Sequence, residues 1–128
     1  MPIANGFLQP NEFDDEFFFN LEIGFCTICQ MVQLTELVEP DQLFHADYAY
    51  FSSISVRMAE HFQQYSQWVR ETHLDDSNPL VVEVGSNDGI MLRHFADAGI
   101  RHVGVEPSAN VARAAEQRGV HTICRFFG

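Results

Sequence analysis

Lysine is absent from the 128 residues, and seven arginines face eighteen carboxylates, a net charge of −11. Such a surface repels nucleic-acid backbones and anionic membranes, so neither is an expected partner. Runs of apolar side chains stop at about four in a row, far short of the roughly 20 needed to cross a bilayer. Basic residues are missing from the first twenty positions, which hold Glu12, Asp14, Asp15 and Glu16 instead. That is the pattern of neither a secretory signal nor an Arg-rich transit peptide, and the expectation is a cytoplasmic protein. Cysteine is scarce and odd in number, with Cys26, Cys29 and Cys124. A disulfide framework is therefore not expected, and metal binding or plain burial remain as readings.

What is present suits a folded chain, since 46% of residues are hydrophobic and 20% charged. The charge is uneven. Residues 1–60 hold ten acids against Arg57 alone, a net of −9, while residues 61–128 hold eight acids against six arginines, a net of −2. Two regions of different chemistry follow.

Residues 1–16 show no sustained period and read as an irregular lead-in. From Phe17 to Phe25 the odd positions are Phe17, Phe19, Leu21, Ile23 and Phe25, a period of two that predicts a strand with one buried face. Met31–Leu34 predicts a second short strand, which places Cys26 and Cys29 at the turn of a hairpin. Pro40 suits the first turn of a short helix through Phe44. An aromatic segment, Tyr48, Tyr50 and Phe51, is followed by Ser52 and Ser53, either of which could cap the next helix. Ile54, Met58, Phe62, Tyr65 and Val69 recur at helical spacing and predict an amphipathic helix ending near His73. Residues 75–79 read as a linker.

From Leu80 the pattern changes. Leu80–Val84 is a strand, Ile90–Phe95 a helix closed by Gly99, His102–Val105 a strand, Val111–Gln117 a helix ending at Gly119, and Val120–Ile123 a strand. This alternation predicts α/β architecture with a parallel sheet. The organisation read from the sequence is a partial zinc-binding module over 1–46, an aromatic segment and linking helix over 47–78, and the first half of a Rossmann-like domain over 79–128.

Between the first parallel strand and its helix lies Glu83-Val84-Gly85-Ser86-Asn87-Asp88-Gly89, at the strand end where nucleotide-like ligands bind. Gly85 permits a sharp exit, Asn87 tolerates the left-handed backbone region, and Gly89 lets the helix pack closely, with free helix-start amides facing the ligand. Asn87 and Ile90 stand where a dinucleotide fingerprint needs glycine, which disfavours NAD. The acidic-x-Gly-x-Gly-x-Gly loop of S-adenosylmethionine (SAM) methyltransferases fits better, with only the middle glycine exchanged. Glu106, closing the second strand, is placed to accept both ribose hydroxyls. Glu83 has a second reading, as a strand-end acid hydrogen-bonded to loop amides.

Cys26-x-x-Cys29 at a hairpin turn has the geometry of a zinc knuckle, yet a structural zinc needs four ligands. Cys124 lies at a strand end in the other region, and His45 is a possible third ligand. A redox pair would open a helix instead.

Taken in order, Ile3-Ala4-Asn5-Gly6-Phe7-Leu8, Gly24-Phe25-Cys26-x-x-Cys29 with Met31-Val32-Gln33-Leu34, Tyr48-x-Tyr50-Phe51-Ser52-Ser53, Val82 to Gly89 and Glu106-Pro107-Ser108 resemble the zinc-binding C-methyltransferases that act on nucleotide-linked deoxysugars. The resemblance covers nearly the whole chain. It implies a SAM-dependent methyltransferase, preceded by a small zinc module and a long helix, that C-methylates a nucleotide-linked keto-deoxysugar. It implies that Gly85, Asn87 and Asp88 flank the donor's methionine part and that Glu106 holds its ribose, with Glu83, Ser86, Gly89 and Pro107 also counted in the cofactor site. Tyr48 and Tyr50 either fold over the cofactor and sugar cleft or pack between modules. The family carries a second Cys-x-x-Cys pair before the present start, and its catalytic histidine and tyrosine after residue 128. The expectation is a truncated chain with an incomplete zinc site, an exposed sheet edge open to self-association, and no catalytic base assigned. The alternative is a non-catalytic remnant that still binds SAM or zinc.

Overall fold

A computed structural model describes residues 1–4, 6–75 and 77–128. Asn5, in the first motif, and Asp76, in the expected linker, lie outside the described residues. The chain divides into two compact units, Met1–Phe44 and His45–Gly128. The aromatic segment and the long helix fall within the second.

In the first unit, β1 (Ile23–Phe25) and β2 (Val32–Leu34) form an antiparallel hairpin, with Ile23 opposite Leu34 and Phe25 opposite Val32. The expected strand from Phe17 is thus confined to its last three residues, joined by an isolated bridge between Pro2 and Phe18. Its apolar face is not buried: Ile23 is 65% and Phe25 61% exposed. A two-stranded ribbon has no second layer to cover one face, so alternation alone creates no core. No described residue of 1–44 is fully buried. The lead-in is also less irregular than its sequence suggests. Pro10–Asp15 forms a 3-10 helix that starts on proline, with the Gln9 amide donating to the Glu12 carboxylate at 2.7 Å. Pro40 opens α1 (Pro40–Leu43), where its missing N–H costs nothing.

In the second unit, β3 (Leu80–Val84), β4 (Arg101–Val105) and β5 (Thr122–Ile123) form a parallel sheet in that order, with Val82 beside Val103 and Gly104 beside Thr122. The helices α3 (Arg93–Asp97) and α4 (Ala109–Gln117) connect them. The result is a mixed α/β unit. Its core is Leu92, Phe95, Ala115 and Val120, with Val69, Leu74, Val81, Met91 and Ile100 packed against it. Gly99 and Gly119 close the two helices in the left-handed region, and the amides of Ile100 and Val120 reach back to the carbonyls of Phe95 and Ala115. The opposite sheet face is half-open at Leu80, Val82 and Val84.

The helix α2 (Val56–Thr72) is capped by Ser55, whose hydroxyl accepts the Met58 amide, and not by Ser52 or Ser53. Ser52–Ile54 form a separate 3-10 turn. The covered stripe of α2 is Ala59, Phe62, Ser66 and Val69. Phe62 and Val69 match the expected face, whereas Ile54, Met58 and Tyr65 stay exposed. Ser66 can be buried because its hydroxyl donates to the Gln63 carbonyl at 2.8 Å. Tyr65 instead stacks outward on His61 and leans on Trp68. Among the described residues, no helix is long and apolar enough to cross a membrane.

Candidate functional site

The loop after β3 is fixed by backbone geometry before any ligand is considered. Gly85, Asn87 and Gly89 all lie at positive φ (72°, 48° and 75°), so asparagine takes the left-handed position as its short polar side chain allows. A Cβ on Gly89 would lie 2.8 Å from Val120 Cγ2, so glycine is required for the loop to pack against α4 and the turn that leads into β5. A Cβ on Gly104 would collide with Ser86, so the loop also lies directly against β4. That contact was not read from the sequence, where Gly104 is only a small residue inside a strand.

The amides of this loop are not free. Gly85 and Ser86 donate to the Val105 carbonyl at 2.9 and 3.2 Å, and Gly89 donates to Ser86 O at 3.0 Å. The Asn87 amide donates to Glu106 Oε2 at 3.0 Å. The expected row of helix-start amides is corrected accordingly: α3 begins only at Arg93, after turns through Ile90–Leu92, and these donors are already satisfied. The second reading of Glu83 is corrected too, because Val105 and Glu106 accept the loop amides it was expected to hold.

Glu106 is buried directly after β4, and its other oxygen accepts the Ser108 amide at 2.9 Å. The acid therefore sits at the carboxyl ends of two adjacent parallel strands, in contact with the glycine loop. Each carboxylate oxygen keeps a second lone pair. Pro107 links Glu106 to Ser108, the residue that starts α4.

The aromatic segment runs as a strap along this loop. The Asn110 side chain donates to Tyr48 O at 2.8 Å, and the Asn87 side chain donates to Tyr50 O at 3.1 Å. Asn87 Oδ1 accepts the Ser52 amide at 2.8 Å, and Asp88 Oδ2 accepts both the amide and the hydroxyl of Ser53. Asp88 is fully buried and forms an ion pair of 2.7 Å with Arg118 Nη1. The side chains of Asn87 and Asp88, expected to flank a ligand, thus hold the strap. Sequence reasoning missed Ser52 and Ser53 as its anchors; only their small polar character hinted at a role, and it was read as capping.

Several buried polar atoms near the loop have no hydrogen-bond partner among the described residues: Glu83 Oε2, Ser86 Oγ, Asp88 Oδ1, Ser108 Oγ and Asn110 Oδ1. Orphaned buried acceptors call for a donor from water or ligand. Burial raises the Glu83 carboxyl from its ordinary 4.5 to about 7.

In the first unit, Cys26 and Cys29 sit at the hairpin turn. The Cys29 amide donates to Cys26 Sγ at 3.5 Å, the Gln30 amide to Cys26 O, and Gln30 lies at φ 60°. Backbone hydrogen bonds from Cys29 and Ile28 pull the Cys26 thiol below its usual range. Two thiols presented on a tight turn fit half of a tetrahedral zinc site. Among the described residues no group of three or more His, Cys, Asp or Glu is placed to hold a metal. The Asp47 amide donates to His45 Nδ1, and Cys124 is exposed near Pro107 O.

Residues 1–44 match a family described as a putative zinc-binding domain. Those are the residues of the first compact unit. The chain is also 37% identical, over 124 residues and 95% of its length, to the C-methyltransferase NovU of Streptomyces niveus, and spans 29% of the length of that relative. Both comparisons agree with the ordered motifs: the chain resembles zinc-binding C-methyltransferases, and its first unit matches the family described as a putative zinc-binding domain.

Proposed function

We propose that His45–Gly128 is the donor-binding part of a SAM-dependent methyltransferase, with the glycine loop and Glu106 forming the site. The carrying observation is the bond between the Asn87 amide and the Glu106 carboxylate, which brings an acid from one parallel strand onto the loop of its neighbour. Glu106 holds its two amides and offers its remaining lone pairs to the ribose hydroxyls. Ser108 Oγ and Asn110 Oδ1 are buried nearby without a partner among the described residues, and SAM is rich in donors, with hydroxyls, an amine and an ammonium. When bound, SAM supplies an electrophilic methyl group on a sulfonium. The name of the NovU relative supports the activity, and the motif series supports C-methylation of a nucleotide-linked keto-deoxysugar. In the first unit, Cys26 and Cys29 contribute two thiolates to a structural zinc.

The test is calorimetric titration of the full-length protein with SAM and with its demethylated product. Binding of both, weakened at least about tenfold by Glu106→Ala, is the expected result; that factor corresponds to about 1.4 kcal/mol. Absence of binding by the folded wild type, or unchanged affinity in the variant, would overturn the assignment.

A further inference from the structure

The loop side chains that sequence reading assigns to the ligand are engaged with residues 35 to 37 positions earlier in the chain. Asn87 commits both ends of its amide to the strap, taking the Ser52 amide and giving to Tyr50 O. Its backbone amide meanwhile binds Glu106. One residue therefore joins the strap to the acid of the candidate donor site. Asp88 receives the Ser53 amide and hydroxyl on Oδ2, and the same oxygen pairs with Arg118. Arg118 Nη1 also donates to the Asp88 carbonyl at 2.8 Å. Arg118 is the residue after α4 and is partly exposed, with its Asp88 partner fully buried.

A carboxylate withdrawn from water stays ionised only if its charge is compensated. The described compensation for Asp88 is Arg118 together with the Ser53 donors. Removing Arg118 leaves Asp88 as an uncompensated buried acid, and its side chain then turns toward water. That turn removes the acceptor that holds Ser53.

We propose that Asn87, Asp88 and Arg118 are positioning residues that fasten the strap Tyr48–Ser53 across the glycine loop, and that Arg118 acts on the donor site only through this fastening. The inference rests on the donor-site reading above for its effect on binding, but the fastening itself does not.

Hydrogen exchange of the full-length protein, read at the Ser52 and Ser53 amides, tests it. Arg118→Met and Asp88→Asn are expected to speed exchange there at least tenfold, with the β3 and β4 amides unchanged. Arg118→Lys restores much of the protection because it returns a cation. In parallel titrations with SAM, Arg118→Met weakens binding several-fold although it removes no ligand contact. Should the Arg118 and Asp88 variants fail to fold, Ser53→Ala gives the same exchange readout while leaving the ion pair intact. Unchanged strap exchange in a folded variant overturns the proposal, as does faster exchange spread evenly over the sheet. Faster strap exchange in a protein that binds no SAM supports the fastening and refutes the donor site instead.

Discussion

The Glu106 carboxylate accepts the Asn87 amide at 3.0 Å while its other oxygen accepts the Ser108 amide at 2.9 Å. An acid read from sequence as a ribose ligand is therefore also a structural joint between the glycine loop and α4. Glu106→Gln replaces one acceptor oxygen with an N–H₂ group, which sets a donor against a backbone donor. Leaving a buried donor unpaired costs about 1–3 kcal/mol. Thermal unfolding without any ligand is expected to show that loss. A variant as stable as wild type would mean that the joint is not formed in solution.

Gly89 and Gly85 separate two effects of adding a methyl group. Both lie at positive φ, where an L side chain costs about 1–2 kcal/mol. Only Gly89 is also crowded, by Val120 and Ala115, and overpacking adds about 1–3 kcal/mol. Denaturant unfolding should place Gly89→Ala below Gly85→Ala by about that second amount. Equal stabilities would show that the loop can move away from Val120 and Ala115.

Glu83 makes stability depend on pH in an unusual direction. Its carboxyl is raised from 4.5 to about 7 by burial, so the folded protein holds a proton that the unfolded chain has released. Stability then falls as pH rises from about 4.5 to about 7, and the contribution is fully lost above that window. The loss is at most about 3 kcal/mol, less where water reaches the group. Glu83→Gln cannot ionise, so its stability relative to wild type should climb across this window and level off above pH 7. A constant difference between the two would show that Glu83 is not desolvated.

The strand-helix-strand order from Leu80 onward is legible because its signals are local. Apolar strand runs, glycines after Asp97 and Arg118, and the loop motif each declare themselves within a few residues. The φ of Asn87 was legible for the same reason. The strap fastening was not, because it joins Ser52 and Ser53 to Asn87 and Asp88 across 35 residues. Serine before a helix reads as a cap, and nothing local reveals that Ser55 takes that role instead. The buried face of α2 was misread at Tyr65 because periodicity favours the larger apolar ring over Ser66, which satisfies its hydroxyl within its own helix. The strand from Phe17 failed for a related reason: alternation reports a capacity for burial, and the two-stranded ribbon provides no covering layer.

The cysteine pair offers a test in solution. Backbone hydrogen bonds, first from Cys29 and then from Ile28, are the main causes that lower the Cys26 thiol. Alkylation of folded Cys26 should therefore reach half its maximal rate at a lower pH than in the denatured chain, since the thiolate is the reactive form. Cys29→Ala removes the smaller side-chain contribution but keeps the residue's amide, so most of the shift should survive. Added zinc should slow alkylation of Cys26 and Cys29 together in wild type, because one ion engages both thiolates, and should protect Cys26 far less in Cys29→Ala. If zinc left wild-type Cys26 and Cys29 as reactive as before, the hairpin turn would not be a metal knuckle.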